Sequence, residues 1–263
     1  MPRTTPEQTP LRVAVILGSS GSSRSLLDQV MPLLGRDGAI EIKGVFLEEA
    51  GVQHAAELPF VKELCRVTFN VREFNSEQFE RALALRMRTA RRAISVLARR
   101  AGVQHSFHNV RGSAVGLVQE TASQSDITIF EPARKAVATM TPHTGIRGPR
   151  QRIVVAIGDE NTGRKAMAVA SHLAEGRMSR VSVLLMPSLA AGDSELGIIF
   201  NGDQQERPGQ VRIIPGNDIQ SLIKAVQAEG AAILVAGATR VFMQQEALQA
   251  IRERLRCPVC LVR

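Results

Sequence analysis

Three short stretches carry residue types that could do chemistry. Gly18-Ser19-Ser20-Gly21-Ser22-Ser23 joins an apolar run to a helical pattern. Its glycines let the backbone approach a ligand, and its free N–H groups and hydroxyls could cradle an anion. It has neither the lysine of a P-loop nor a GxGxxG spacing, so a plain strand-to-helix turn stands beside phosphate contact as a reading. Cys257-Pro-Val-Cys260 has redox spacing but sits in a terminal apolar run rather than opening a helix, and Cys65 alone cannot complete a zinc site with it. These two read as core thiols. His105 and His108 are three apart in a strand-like segment, so they point to opposite faces and cannot chelate one ion. His54, His143 and His172 have no carboxylate or cysteine at ligand spacing. No nucleophile, base and orienting acid can be assembled from these residues. No catalytic residue, no metal site and no enzymatic activity are expected.

The elements around these residues follow from an internal repeat. Leu11 to Gly18 (LRVAVILG) and Gln151 to Gly158 (QRIVVAIG) are near-copies, each a β-branched apolar run that ends in Gly and leads into an amphipathic helix. The first helix, from about Ser23, aligns Leu26, Leu27, Val30, Met31 and Leu34 and stops at Gly35; the second, from about Thr162, aligns Ala166, Val169, Ala170 and Leu173 and stops at Gly176. Strand-like runs follow at Ile40 to Leu47 and at Arg180 to Met186. Val110 to Phe130 and Ile213 to Gly237 also correspond, each reading strand, Gly with a polar cap, short helix, apolar strand. Continuous apolar strands alternating with helices imply a parallel sheet covered on both faces.

The halves are not equivalent. Asn75 to Gly102 carries seven Arg and two Glu, and its apolar residues Phe79, Leu83, Met87, Ala90, Ile94, Leu97 and Ala101 fall on one helical face. Asn75 suits the N-cap and Gly102 the left-handed residue after the helix. Arg81, Arg88, Arg92 and Arg99 line the opposite face, either as a solvated exterior or as a surface for an acidic partner. The second half has instead a polar, Gly-rich stretch, Pro187 to Gln210, read as a loop. It ends in a helix and a strand, Met243 to Arg256 and Pro258 to Val262, where the first half has only the Pro- and Gly-bearing stretch Glu131 to Arg150, read as the linker. The first sheet thus lacks a closing strand after Phe130. An open edge leaves unpaired N–H and C=O groups, so the halves are expected to pack face to face as a pseudo-dimer. In that arrangement the edge near Ile127 to Phe130 is covered around Cys257 to Val262.

Composition narrows the function classes. The chain has 263 residues, 44% of them hydrophobic, with 33 basic against 25 acidic residues for a net +8. That excludes disordered, collagen-like and coiled-coil chains. No apolar run nears the ~20 residues of a membrane helix, and Met1 to Pro10 lacks a signal-peptide core, so a soluble, cytoplasmic protein is expected, with no membrane partner. With no Trp or Tyr, a base-stacking surface is not expected, which argues against sequence-specific nucleic acid.

In this order the motifs resemble a tandem universal stress protein. The match lies in AAILVAGATR and LRCPVCLVR, similar to the family's fourth strand ending in Gly and its closing Cys-Pro-Val strand, in VRGSAVGLVQETASQSDITIF, and in VVAIGDENTGRKAMAVASHLA. The resemblance implies an α/β fold of two doubly wound parallel-sheet domains of the universal stress protein (adenine nucleotide α-hydrolase-like) type. A tail over 1–10, a first domain over 11–147 and a second over 148–263 follow from it. It also implies frequent dimerisation and, in some members, bound ATP.

The residues that would hold ATP are altered. Gly237 is kept, but Arg240 stands at the family's second Gly and Gln245-Glu246 at its Gly-Ser pair, while Glu131 replaces the first Gly in the other half. Glu246 would repel a phosphate. What remains for a nucleotide or anion is Gly18, Ser19, Ser20, Gly21 and Ser22 in the first half and Gly237, Thr239 and Arg240 in the second. The leading expectation is a non-enzymatic regulatory or stress-response protein without a cofactor, acting through other proteins, its own copies or a small ligand. The alternatives are an ATP- or AMP-binding sensor with a non-standard site and an adaptor working through the Arg-rich helix.

Overall fold

The structure, a computed structural model, describes residues 10–18, 23–35, 39–64, 69–133, 152–187 and 207–263. The near-copied apolar runs become β1 (Leu11–Gly18) and β7 (Arg152–Ile157), with Val13 to Leu17 and Ile153 to Ile157 buried without a break. Unbroken burial is what a parallel strand covered on both faces requires. In the first half α1 (Ser23–Leu34), β2 (Ile40–Glu49), α2 (Ala50–Glu57), the hairpin β3 (Lys62–Leu64) and β4 (Val71–Glu73), α3 (Ser76–Ala101), β5 (Gln104–Gly112), α4 (Ala114–Gln124) and β6 (Ile127–Phe130) follow β1. After β7 come α5 (Glu160–Leu173), β8 (Val181–Leu185), β9 (Gln210–Ile213), α6 (Ile219–Ala228), β10 (Ala231–Gly237), α7 (Gln245–Arg254) and β11 (Val259–Val262). Most of Pro187 to Gln210 and of Glu131 to Arg150 lies outside the described residues.

All nine core strands form one sheet in the order β5-β2-β1-β6-β11-β10-β7-β8-β9. Each half repeats one winding, β5-β2-β1-β6 and β9-β8-β7-β10, and the second adds β11. Every neighbouring pair is parallel except β6 and β11, which run antiparallel with Phe130 opposite Val259, Ile129 opposite Cys260, Thr128 opposite Leu261 and Ile127 opposite Val262. The segments expected to meet do meet, but the packing is edge to edge, not face to face. The physical reason is that a strand edge is satisfied by a ladder of backbone hydrogen bonds, which stacked sheets cannot supply. Helices α1, α3 and α5 cover one face of the joint sheet and α4, α6 and α7 the other. No described helix is long and apolar enough to cross a membrane.

Helix α3 starts and stops where its sequence dictates. Asn75 Oδ1 accepts from the Gln78 N–H at 2.9 Å, and Gly102 ends the helix at φ 67°. It lies close on β2 because Gly44 has no side chain; a Cβ there would come within 2.9 Å of Ile94 and of Phe107. Its apolar stripe is fully buried at Ala90, Ile94 and Leu97, and Leu83 and Met87 before them are partly buried against the same core. The sheet ends before the helix does.

One buried ionic cluster fixes the second half. Glu229, just after α6, is only 3% exposed and receives Arg152 at 2.8 Å, Arg212 at 3.1 Å and the Ser182 hydroxyl at 3.0 Å. These donors come from β7, β9 and β8, so one carboxylate ties three strands to a helix end. Burial alone would raise its pKa, but the hydrogen bonds from Ser182, Arg212 and Arg152 outweigh this and hold it below the ordinary 4.5.

Two outcomes follow. Expressed separately, residues 1–149 and 151–263 should each aggregate and become soluble on co-expression, because β6 and β11 lose their partner; two monomeric, cooperatively unfolding fragments without mutual affinity would contradict this. Glu229→Gln should lower stability at neutral pH by about 2 kcal/mol, less than the ~3–5 of a fully buried pair since both arginines are half in water. The lowered pKa makes this contribution complete above 4.5 and lost as pH falls through the folded-state value. Denaturant unfolding at a series of pH values should therefore show parent and variant converging in acid.

Candidate functional site

In an open α/β sheet the ligand crevice lies beyond the carboxyl ends of the strands, where the winding changes direction. Here that means β1 and β6 in the first half and β7 and β10 in the second. The antiparallel seam points these two crevices to opposite ends of the sheet. The structure therefore does not bring Gly18 together with Gly237, Thr239 and Arg240.

The second crevice is closed by its own residues. Asp159 caps α5, its carboxylate accepting from the Thr162 N–H at 2.9 Å and the Thr162 hydroxyl at 2.5 Å. Thr162 is thereby turned onto Gly237 at the end of β10, so closely that a Cβ on Gly237 would overlap the threonine Oγ1 and Cβ. The glycine serves helix-to-strand contact here. A carboxylate, not a free set of N–H groups, meets anything approaching the start of α5. Thr239 and Arg240 lie in the turn after β10; the Thr239 carbonyl accepts from the Met243 N–H at 3.0 Å, and Phe242 between them is buried. Arg240 is exposed, and Glu246 is in the first turn of α7. Lys165 reaches the Arg263 carbonyl at 3.1 Å on the same side.

The first crevice is lined by residues of both halves. A small cleft, its mouth in solvent, is lined by Gly18, Glu49, Ala114, Phe130, Glu131 and Arg252 among others. Among the described residues, its chain neighbours aside, no atom lies within 4 Å of where a Gly18 Cβ would be. Ser19, Ser20, Gly21 and Ser22 lie outside the described residues. Arg252 comes from α7 in the second half: its guanidinium, 12% exposed, meets Glu49 at 3.0 Å, and its carbonyl accepts from the Ala133 N–H at 2.7 Å. This cation was invisible to sequence reasoning, because 203 residues separate it from Glu49. The capping of α5 was closer to legible: an Asp three residues before a Thr at a helix start is a local signal.

The remaining motifs resolve simply. Cys257 and Cys260 are buried and unlinked, and burial pushes their thiols up to about 11 and about 12. Thiols so far from ionisation are poor nucleophiles and ligands. His105 faces α3 and lies 3.0 Å from the Ser95 hydroxyl. Arg81, Arg88, Arg92 and Arg99 are exposed, Arg81 pairing with Glu77 at 3.1 Å. Among the described residues no cluster of His, Cys, Asp or Glu could hold a metal ion.

No protein-family model matches the sequence, and no curated protein does. Among solved structures the chain is similar to a universal stress protein from Archaeoglobus fulgidus, with 11% identity, a TM-score of 0.44 and 95% of this chain and 96% of that one covered. It is similar at 10% identity and a TM-score of 0.43 to a functionally unknown protein from Pseudomonas aeruginosa, with 97% and 93% covered. The cytoplasmic domain of a prokaryotic cation chloride cotransporter gives 9% identity and a TM-score of 0.43, with 96% and 95% covered. These are likenesses of overall winding, and no chemistry is taken from them.

If Gly237 is held by Thr162, Gly237→Ala should destabilise the protein by about 1–3 kcal/mol through overpacking, although alanine is compatible with the strand. Chemical denaturation checks it. Gly18→Ala, with open space around the new methyl, is the control and should be near neutral.

Proposed function

We propose that this chain is a universal stress protein-like regulatory protein that catalyses no reaction and acts through protein contacts, without ATP or AMP held in that family's manner. The observation that carries the reading is the contact of Thr162 with Gly237, tightened by Asp159. A phosphate needs close approach to a glycine backbone and a helix end with free N–H groups. In the second crevice the glycine is covered by Thr162 and the helix end is capped by a carboxylate. The sequence resemblance and the repeated strand order support the family character of the fold. The regulatory role rests on the absence, from any residue grouping described above, of a nucleophile with its base.

A second reading, an anion or nucleotide sensor, is favoured by one feature of the first crevice. Arg252 sits nearly buried beside Gly18 at a winding switch, the place where such sheets take ligands. Glu49 neutralises much of its charge, which is why this reading stands second.

Isothermal titration of the full chain with Mg-ATP and with AMP separates the two. No saturable binding tighter than about 1 mM is expected, since each lost phosphate contact removes ~1–3 kcal/mol. Saturable micromolar binding would overturn the first reading. Repeating the titration on Arg252→Gln would then show whether the first crevice is responsible.

A further inference from the structure

Between β2 and β5 the chain makes an excursion the sheet does not need. Helix α2 has no buried residue, every residue of β3 and β4 is exposed, and α3 has none buried before Ala90. This arm carries seven of the ten exposed large apolar side chains among the described residues: Val52, Leu58, Phe60, Leu64, Phe69 and Val71 at its outer end and Leu85 on α3. Phe60 is 96% and Phe69 67% exposed. Both also have positive φ, 68° and 55°, a conformation that bulky L-residues disfavour. A lone two-stranded hairpin is marginal in water. One that also shows this much apolar surface is built to be covered.

The arm's charges indicate by what. Residues 57–80 hold three basic and five acidic residues, a net −2, whereas residues 81–100 hold seven arginines and no acid. The arm is an acidic, apolar tip on a basic stem. Nucleic acid or an anionic membrane would be drawn to the stem and repelled at the tip, where the phenylalanines are. An acidic protein would meet the same conflict. A second copy of this chain, turned about a two-fold axis, sets tip on stem twice and answers both charges with one contact. We propose that the chain dimerises through this arm, the tip of each copy lying on the α3 stem of the other and covering Phe60 and Phe69. The two rings bring ~150–250 Å² apiece, a substantial share of the ~800 Å² per partner of a standard interface. Where the tip meets the stem, the rings of Phe74 and Phe79 lie 5.6 Å apart between centroids. This inference is independent of whether either crevice binds a nucleotide.

Sedimentation equilibrium of the full chain from about 1 to about 100 μM tests it. A reversible dimer that weakens as salt rises is expected, because screening shortens the reach of the tip-to-stem attraction. Phe60→Ser with Phe69→Ser should weaken it about tenfold or more. The circular dichroism of that variant, and its melting temperature at a concentration where the parent is monomeric, should stay unchanged, both rings being in water in the single copy. Glu73→Lys with Glu77→Lys, and Arg88→Glu with Arg92→Glu, should each be monomeric alone and dimerise when mixed, since the mixture restores opposite charges at both contacts. A parent that stays monomeric at about 100 μM, a dimer untouched by these variants, or a mixture that fails to pair would overturn the proposal. So would a monomeric parent that co-sediments with phosphatidylserine vesicles or duplex DNA, which would assign the arm to that partner.

Discussion

The antiparallel pairing of β6 with β11 is the constraint on which the rest of the structure depends. Four register pairs, all of buried residues, join two parallel half-sheets into one and give both an interior position for what would be an edge strand. Because the pairing is antiparallel, the two switch-point crevices must open at opposite ends. The same geometry brings the end of α7 over the first crevice, where Arg252 meets Glu49, and the end of β11 beside the start of β6, where Arg263 meets Asp126 at 3.2 Å. Hydrogen bonds around that second corner are dense: Arg263 N–H to the Asp126 carbonyl at 2.9 Å, and Arg12 N–H to the Asp126 carboxylate at 2.9 Å. Each end of the seam thus carries one ion pair between the halves.

The same helix-on-strand architecture gives unlike crevices. In the second half a short local cap, Asp159 with Thr162, lets α5 settle on the glycine at the end of β10 and leaves no room above it. In the first half no described residue covers Gly18 in this way, and a side chain from the other half arrives at the crevice. A repeated fold has therefore been closed in one copy by a local interaction and furnished in the other by a distant one.

Charge is distributed by the same logic. The buried Glu229 is matched by donors from three strands, so its charge strengthens the sheet instead of straining it. The arginines of α3 lie instead on an exposed helix face, where Arg81 pairs with Glu77 in water and not in the core. Apolar and charged surface are left together on one projecting arm.

Outside the α2–β3–β4 excursion, the sequence by itself determined the main strands and helices and their order. Repeated β-branched runs ending in Gly marked β1 and β7, the Asn75 and Gly102 signals bounded α3, and CPV opened the last strand, because hydrophobic period, caps and breakers act within a few residues. It also showed that Ile127 to Phe130 needed a strand beside it. Only the tertiary structure decided that this strand comes edge to edge and antiparallel, since many stackings satisfy the same apolar pattern and backbone pairing selects one. The α2–β3–β4 arm left no signal, because its apolar residues do not follow the period of any buried face. Arg252, Glu229 and the contact of Thr162 with Gly237 were hidden for the complementary reason: their partners lie on other strands and helices, and only a completed sheet sets the distances between them.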